Sequence, residues 1–218
     1  MISKQELIDF EEDIADCFNK KMIRAPIHLF QGGEDQHLEI AKNIKDDSWL
    51  LSTWRSHHVC LLKVPKDELK KKILEGKSIG LCFQRYKIIC SGIVGGIFPI
   101  AVGLGLAIKR KQNNEKVWVF AGEMSYFTGI AYECMRYATN FKLPIEWVCE
   151  DNGKSVCTPS YEVVGETWIR PEELEDCEKD EDLELLNGVW HNKHMNTWHY
   201  KYISKWPHSG TLAGRIKF

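Results

Sequence analysis

No stretch of this 218-residue sequence approaches the roughly 18 consecutive apolar residues of a membrane-spanning helix. Charge of one sign is also missing: 29 Lys and Arg stand against 31 Asp and Glu, a formal net charge of −2. That balance provides no broad basic field, so binding of nucleic acid by phosphate neutralisation is not expected. The eight cysteines form no C-x-x-C pair, and several sit among apolar neighbours. Neither a disulfide framework nor a structural zinc site is therefore expected; buried thiols in a reducing compartment are. Repeats and low-complexity tracts are absent. The opening MISKQELIDFEED is acidic and amphipathic and lacks the apolar core of a secretory signal, so a cytoplasmic location is expected.

The remaining composition is that of a globular protein, 44% hydrophobic and 28% charged. The length fits a single α/β domain over 1–218, with 166–218 an acidic and then aromatic, His-rich extension. Ser3 with Gln5 and Glu6 opens a helix over 3–22, with Leu7, Phe10, Ile14 and Phe18 at helical spacing. Residues 35–45 also read as helix, and 48–54 as a short apolar strand ending in Arg55-Ser56-His57-His58. A charged helix over 66–76 stops at Gly76. In the Gly-rich apolar stretch 91–111, Pro99 suits a first helical turn, while Gly103 and Gly105 suggest close backbone packing.

The centre is the most legible part. Residues 117–122 form a continuous buried strand, and 125–141 a helix with Phe127, Ile130, Ala131, Cys134, Ala138 and Phe141 on one face. Residues 143–152 form a second buried strand. Strand, helix and strand with short loops make a βαβ unit, hence an α/β fold with a parallel sheet flanked by helices. Run 172–184 is strongly acidic and reads as a solvated helix. Aromatics as dense as those of the last thirty residues seek burial, so this tail is expected to dock on a partner or fold over the sheet, although His208 can in principle enter a site.

Ligands of open parallel sheets bind beyond the carboxyl ends of the strands. Two strands end there in polar groups, at Gly122-Glu123-Met124-Ser125 and at Glu150-Asp151-Asn152-Gly153. A helix start at Ser125 attracts phosphate, and the Glu123 carboxylate and Asn152 carbonyl are hard donors suited to Mg²⁺ carrying substrate phosphates. The same residue types also suit a helix cap at Glu123 and a turn at Asn152, and residue types alone favour that cap and turn, since capping residues are common.

Gly122-Glu123-Met124 followed by Asp151-Asn152 resembles the thiamine diphosphate signature, Gly-Asp-Gly and then Asn-Asn after about thirty residues. HLFQGGED (28–35), STWRSHH (52–58) and SGIVGGIFPIAVGLGLAIK (91–109) are similar, in order, to further segments of one family. That family is the alpha subunit of the 2-oxo acid dehydrogenase decarboxylating component, of the pyruvate dehydrogenase type. The resemblance covers residues 25–165, roughly two-thirds of the chain.

The resemblance implies a thiamine diphosphate-binding fold of the diphosphate-binding kind, with thiamine diphosphate and Mg²⁺ as cofactors. Glu123, Asn152 and the carbonyl of Lys154 would hold the metal. Arg55, with Trp54 beside it, would contact the diphosphate, as would the backbone N–H groups of Met124 and Ser125 after Gly122. Gly92 and Val94 would offer backbone atoms to the aminopyrimidine ring. His28 would line the catalytic centre near the thiazolium carbon, and His57 matches a family histidine of less certain role. The implied activity is decarboxylation of a 2-oxo acid, with the acyl or aldehyde unit passed on. A carboligase or transketolase-like transfer is the alternative within the class.

The implied partner is a beta-type subunit with the pyrimidine-binding domain and its glutamate, in an α₂β₂ assembly. Three departures stand out. Glu123 replaces Asp, Met124 replaces Gly, and the family's Arg- and His-bearing loop that faces the diphosphate has no convincing counterpart. The first two also motivate a contrasting expectation, a degenerate subunit kept for assembly without catalysis.

Overall fold

The computed structural model describes residues 2–165 and 182–210. The acidic run up to residue 181 and Cys177 lie outside the described residues. The amino-terminal helix α1 (Lys4–Asn19) is opened by a reciprocal cap between Ser3 and Glu6. It is followed by α2 (Glu34–Ala41), β1 (Trp49–Ser52), α3 (His57–Leu61) and α4 (Lys66–Leu74), after which Gly76 turns the chain at φ 79°. Next come β2 (Cys82–Phe83), β3 (Ile88–Cys90), α5 (Ile97–Arg110), β4 (Val117–Gly122), α6 (Glu123–Tyr126), α7 (Gly129–Asn140) and β5 (Ile145–Asp151). A small hairpin β6 (Lys154–Ser155) and β7 (Thr158–Pro159), then α8 (Ser160–Val164), β8 (Leu183–Leu186), β9 (Val189–Asn192) and β10 (Thr197–Lys201) complete the described chain.

The strands form an eight-stranded sheet in the order β2-β3-β1-β4-β5-β10-β9-β8. Strands β3, β1, β4, β5 and β10 run parallel, and β2, β9 and β8 are antiparallel additions at the two edges. The α/β reading therefore holds, with a mixed rather than purely parallel sheet. One core cluster joins α1, α3 and α4 to residues such as Leu50, Trp118 and Val148. The other joins α5 and α7 to Leu51, Val119 and Trp147. Alternation along β1, β4 and β5 thus feeds both faces, which is why these strands read as unbroken apolar runs.

Two sequence expectations change here. The helix expected over 125–141 is broken at Phe127–Thr128, because the Thr128 hydroxyl accepts from the Ala131 N–H and starts a new helix. On α7, Ala131, Cys134 and Ala138 are buried, whereas Ile130 and Phe141 are exposed. The aromatic tail, expected to fold over the sheet or dock on a partner, lengthens the sheet through β9 and β10, while its residues 211–218 lie outside the described ones. In β10, Trp198, His199 and Tyr200 are all buried beside β5. Five of the seven cysteines among the described residues are buried, Cys82 and Cys157 are exposed, and none of the seven is in a disulfide.

Candidate functional site

Strand β1 is flanked by β3 on one side and β4 on the other, so the strand order reverses between β1 and β4. A crevice opens at such a reversal, beyond the carboxyl ends of the strands. A cavity of about 230 Å³ lies there, lined by Thr53, Trp54 and Arg55 after β1, by Gly122–Ser125 after β4, and by Glu150, Asn152 and Lys154–Val156 around the end of β5. Val94, Tyr202 and His208 complete its wall.

Glu123 and Asn152 meet. The Glu123 side chain is 3% exposed, and the backbone N–H of Asn152 is directed at its carboxylate. The Ser160 hydroxyl donates to Glu123 Oε1 at 2.7 Å. The β6–β7 hairpin sets up this contact by folding back, with Ser160 N donating to the Gly153 carbonyl at 3.0 Å. Burial pushes the Glu123 carboxyl up from its ordinary value; the Ser160 hydroxyl opposes the shift and the charge of Asp151 adds to it. Among the described residues no cation pairs with Glu123.

The Asn152 Oδ1 accepts from Lys154 N at 2.9 Å, which is the turn that residue type alone allowed. Its side chain also faces the Tyr202 hydroxyl, whose pKa burial pushes up to about 12. Glu150 accepts from the Tyr200 hydroxyl at 2.8 Å, and burial raises its carboxyl to about 7. Asp151 is held by Gly153 N at 2.8 Å and faces His199 Nε2 at 3.3 Å.

Arg55 donates from Nε to the Leu29 carbonyl at 3.0 Å and from Nη2 to the His208 carbonyl at 3.2 Å. Two of its five N–H groups are thereby engaged with protein backbone. His28 stands one layer behind the wall, its ring 5.9 Å from Trp54 and 5.0 Å from His208. Burial, with the nearby charge of Arg55 adding to it, lowers the His28 pKa to about 3, and its Nδ1 is buried without a partner. His57 points away from the cavity. Its imidazole bridges Glu11 at 2.9 Å and Ser78 at 2.8 Å inside the core, a structural position.

Most expected residues therefore gather at one cavity: Trp54, Arg55, Val94, Gly122, Glu123, Met124, Ser125, Asn152 and Lys154. Gly92 is exposed and His28 lies behind, so neither lines it directly. The helix starting at the site is only the four residues of α6, a shorter dipole than a single helix to residue 141 would supply. Sequence reasoning missed Tyr202 and Ser160; His208, which it allowed to enter a site, lines the cavity. A polar hairpin and a strand inserted between β5 and β9 carry no local periodicity to announce them.

The profile of the Dehydrogenase E1 component family matches residues 3–167. The chain belongs to this family. Among curated relatives, the acetoin:2,6-dichlorophenolindophenol oxidoreductase alpha subunit of Bacillus subtilis is 28% identical, over 71% of this chain and 50% of its own length. The Cupriavidus necator subunit of the same name is 27% identical, over 69% and 48%. The mitochondrial pyruvate dehydrogenase E1 component subunit alpha of Dictyostelium discoideum is 25% identical, over 69% and 45%. The chain thus spans about half the length of these E1 alpha relatives.

The E1 family is thiamine diphosphate-dependent, so the cavity can be tested for its fit to a metal-bridged diphosphate. A buried carboxylate with no cation beside it is costly unless it stays protonated or gains a counter-charge. A hard divalent cation would supply that charge, and carboxylate, amide and backbone oxygens are donors it accepts. On this ground the residues fit. The described residues contain no cluster of three or more His, Cys, Asp or Glu side chains able to hold a metal. The expected donor set is of a different kind, with a single carboxylate.

Proposed function

We propose that this chain is the diphosphate-binding alpha subunit of an enzyme that decarboxylates a 2-oxo acid and passes on the acyl or aldehyde unit. Glu123, Asn152 and the Lys154 carbonyl would hold Mg²⁺. Arg55 and the backbone N–H groups of Met124 and Ser125 would hold the diphosphate of thiamine diphosphate, with Trp54 alongside. Gly92 and Val94 would meet the aminopyrimidine, and His28 would stand near the reacting carbon. The cofactor supplies the carbanion chemistry when bound; the protein supplies position, electrostatics and exclusion of water. His28, kept neutral by burial, is able to donate one hydrogen bond without adding charge.

One observation carries this reading: the buried Glu123 carboxylate facing a cavity at the sheet's switch point, with no cation partner among the described residues. The cavity supports the partner as well. At about 230 Å³ it is smaller than the roughly 300 Å³ from which ligand sites usually start, as a half-site would be. Apolar groups are exposed beside it, with Ile93 at 72% and Val94 at 52%. A beta-type subunit docking there, in an α₂β₂ assembly, would cover them and complete the site.

The names of two relatives favour a second reading, in which an acyloin such as acetoin is the substrate and a dye or carrier the acceptor. The assay uses the chain combined with its beta-type subunit, thiamine diphosphate and Mg²⁺. It compares ferricyanide reduction driven by pyruvate with that driven by acetoin, and acyloin formation from pyruvate plus aldehyde. Cofactor-dependent turnover in the pyruvate arm supports the first reading. Turnover with acetoin alone supports the second, and carboligation alone a transferase. No product in any arm leaves the non-catalytic assembly subunit, for which Glu123 in place of Asp and Met124 in place of Gly would then account.

A further inference from the structure

Behind the cavity, three polar side chains form a buried chain of hydrogen bonds that the proposed function does not use. Glu11 of α1, His57 of α3 and Ser78 are each fully buried. The His57 ring lies between the other two, 2.9 Å from Glu11 Oε2 and 2.8 Å from Ser78 Oγ. A serine, a histidine and a carboxyl group in this order can activate a nucleophile. A fully buried hydroxyl meets no substrate, however, so this chain acts on its own fold. The other Glu11 oxygen, Oε1, accepts from the Phe30 N–H at 3.1 Å. That N–H belongs to the same planar peptide unit as the Leu29 carbonyl, which accepts from Arg55 Nε at 3.0 Å. Arg55 and His57 are near neighbours in the chain, so the contacts close a ring from Glu11 through the Leu29–Phe30 peptide and Arg55 to His57 and back.

We propose that Glu11 is a positioning residue for the cavity: by holding both the Leu29–Phe30 peptide and His57, it fixes the Arg55 guanidinium in the orientation that meets the ligand. The inference rests on the reading of the cavity as a diphosphate site and adds to it a residue that does not line the cavity. A trans peptide carries its N–H and C=O on opposite sides, so an acceptor on the Phe30 N–H fixes where the Leu29 carbonyl points. It also polarises the unit, because hydrogen bonds in series strengthen one another at low dielectric. The Leu29 and His208 carbonyls engage Nε and one Nη2 N–H of Arg55, and its other N–H groups are left for an anionic oxygen. A guanidinium held in this way loses less rotamer freedom on binding than a free one.

The test reads Arg55 directly, from its Nε–H resonance in ¹H–¹⁵N spectra of the full chain. Calorimetric titration with thiamine diphosphate and Mg²⁺, on the chain combined with the beta-type subunit, gives the affinity. The deciding variant replaces the whole network by apolar groups of similar size, Glu11→Met with His57→Leu and Ser78→Ala, a change that buried polar triads can accept without loss of stability. It should fold, yet shift the Arg55 resonance and raise the dissociation constant about tenfold, as loss of a hydrogen bond at a charged group does. Glu11→Gln is the conservative rescue. Its amide oxygen still accepts from the Phe30 N–H and its NH₂ pairs with the other tautomer of His57, so most of the affinity returns. Ser78→Ala alone disturbs the network but leaves Glu11 on the peptide, so it should lower stability without moving the Arg55 resonance. A network that serves stability alone predicts intact binding wherever the fold is intact. An unmoved Arg55 resonance in the triple variant, or equal affinity of wild type and triple variant, therefore overturns the inference while leaving the cofactor reading standing. So does a triple variant that fails to fold, because the network would then hold the fold itself. A wild type that binds no thiamine diphosphate overturns the cofactor reading instead, and the Arg55 resonance then decides the positioning role.

Discussion

His37 is fully buried between Phe30, His58 and Phe120, with its Nδ1 4.0 Å from Glu150. Burial lowers its pKa to about 4 and lowers that of His58 well below the ordinary value. The unfolded chain takes up these protons near pH 6.5, whereas the folded chain refuses them. The stability that the two rings contribute is therefore present above pH 6.5 and lost as pH falls toward 4. Each ring steepens the slope by at most about 1.4 kcal/mol per pH unit. Urea unfolding across pH 7 to 4.5 should show this loss, and His37→Leu should make the slope shallower. An unchanged slope in the variant would mean that His37 does not titrate with unfolding.

The elements make their own predictions. Removing the Thr128 cap with Thr128→Ala should cost about 1 kcal/mol in chemical denaturation, because α7 loses its hydrogen-bonded start. Two glycines of α5 should respond with opposite signs. A Cβ at Gly105 would lie 2.9 Å from the Ile145 side chain, so Gly105→Ala should destabilise by roughly 1–3 kcal/mol. A Cβ at Gly103 meets nothing within 4 Å, so Gly103→Ala should stabilise the isolated chain by up to about 1 kcal/mol. Equal effects at the two positions would contradict the packing described for α5.

Thr128 also marks the limit of what sequence reading sees. Strands β4 and β5 were legible because both faces of each are covered, which leaves unbroken apolar runs. The helix between them was legible in its apolar spacing but not in its break, since a single threonine cap leaves that spacing intact. The short β2 and β3 and the hairpin β6–β7 owe their pairing to neighbours distant in sequence or to turn geometry, and they have no periodicity of their own. Likewise, Glu123 and Asn152 were found through their spacing, whereas Ser160, Tyr202 and His208 reach the cavity by folding back.

At the scale of the whole molecule, the sheet's switch point, the segment after β10 and the exposed apolar rim converge on one cavity. If that rim is where a beta-type subunit docks, Ile93→Asp should weaken association at least tenfold in sedimentation experiments. The stability of the free chain should stay within about 0.5 kcal/mol, because the side chain is 72% exposed. Unchanged association would move the interface elsewhere. The proposed function rests on Glu123 and Asn152, which would hold magnesium and the diphosphate it carries. Calorimetric titration with thiamine diphosphate and Mg²⁺, on the wild-type chain and Glu123→Gln combined with the beta-type subunit, tests it most directly. Saturable, Mg²⁺-dependent binding in the wild type, reduced at least a hundredfold in Glu123→Gln, is the predicted result; equal binding by the two, or none by either, would contradict it.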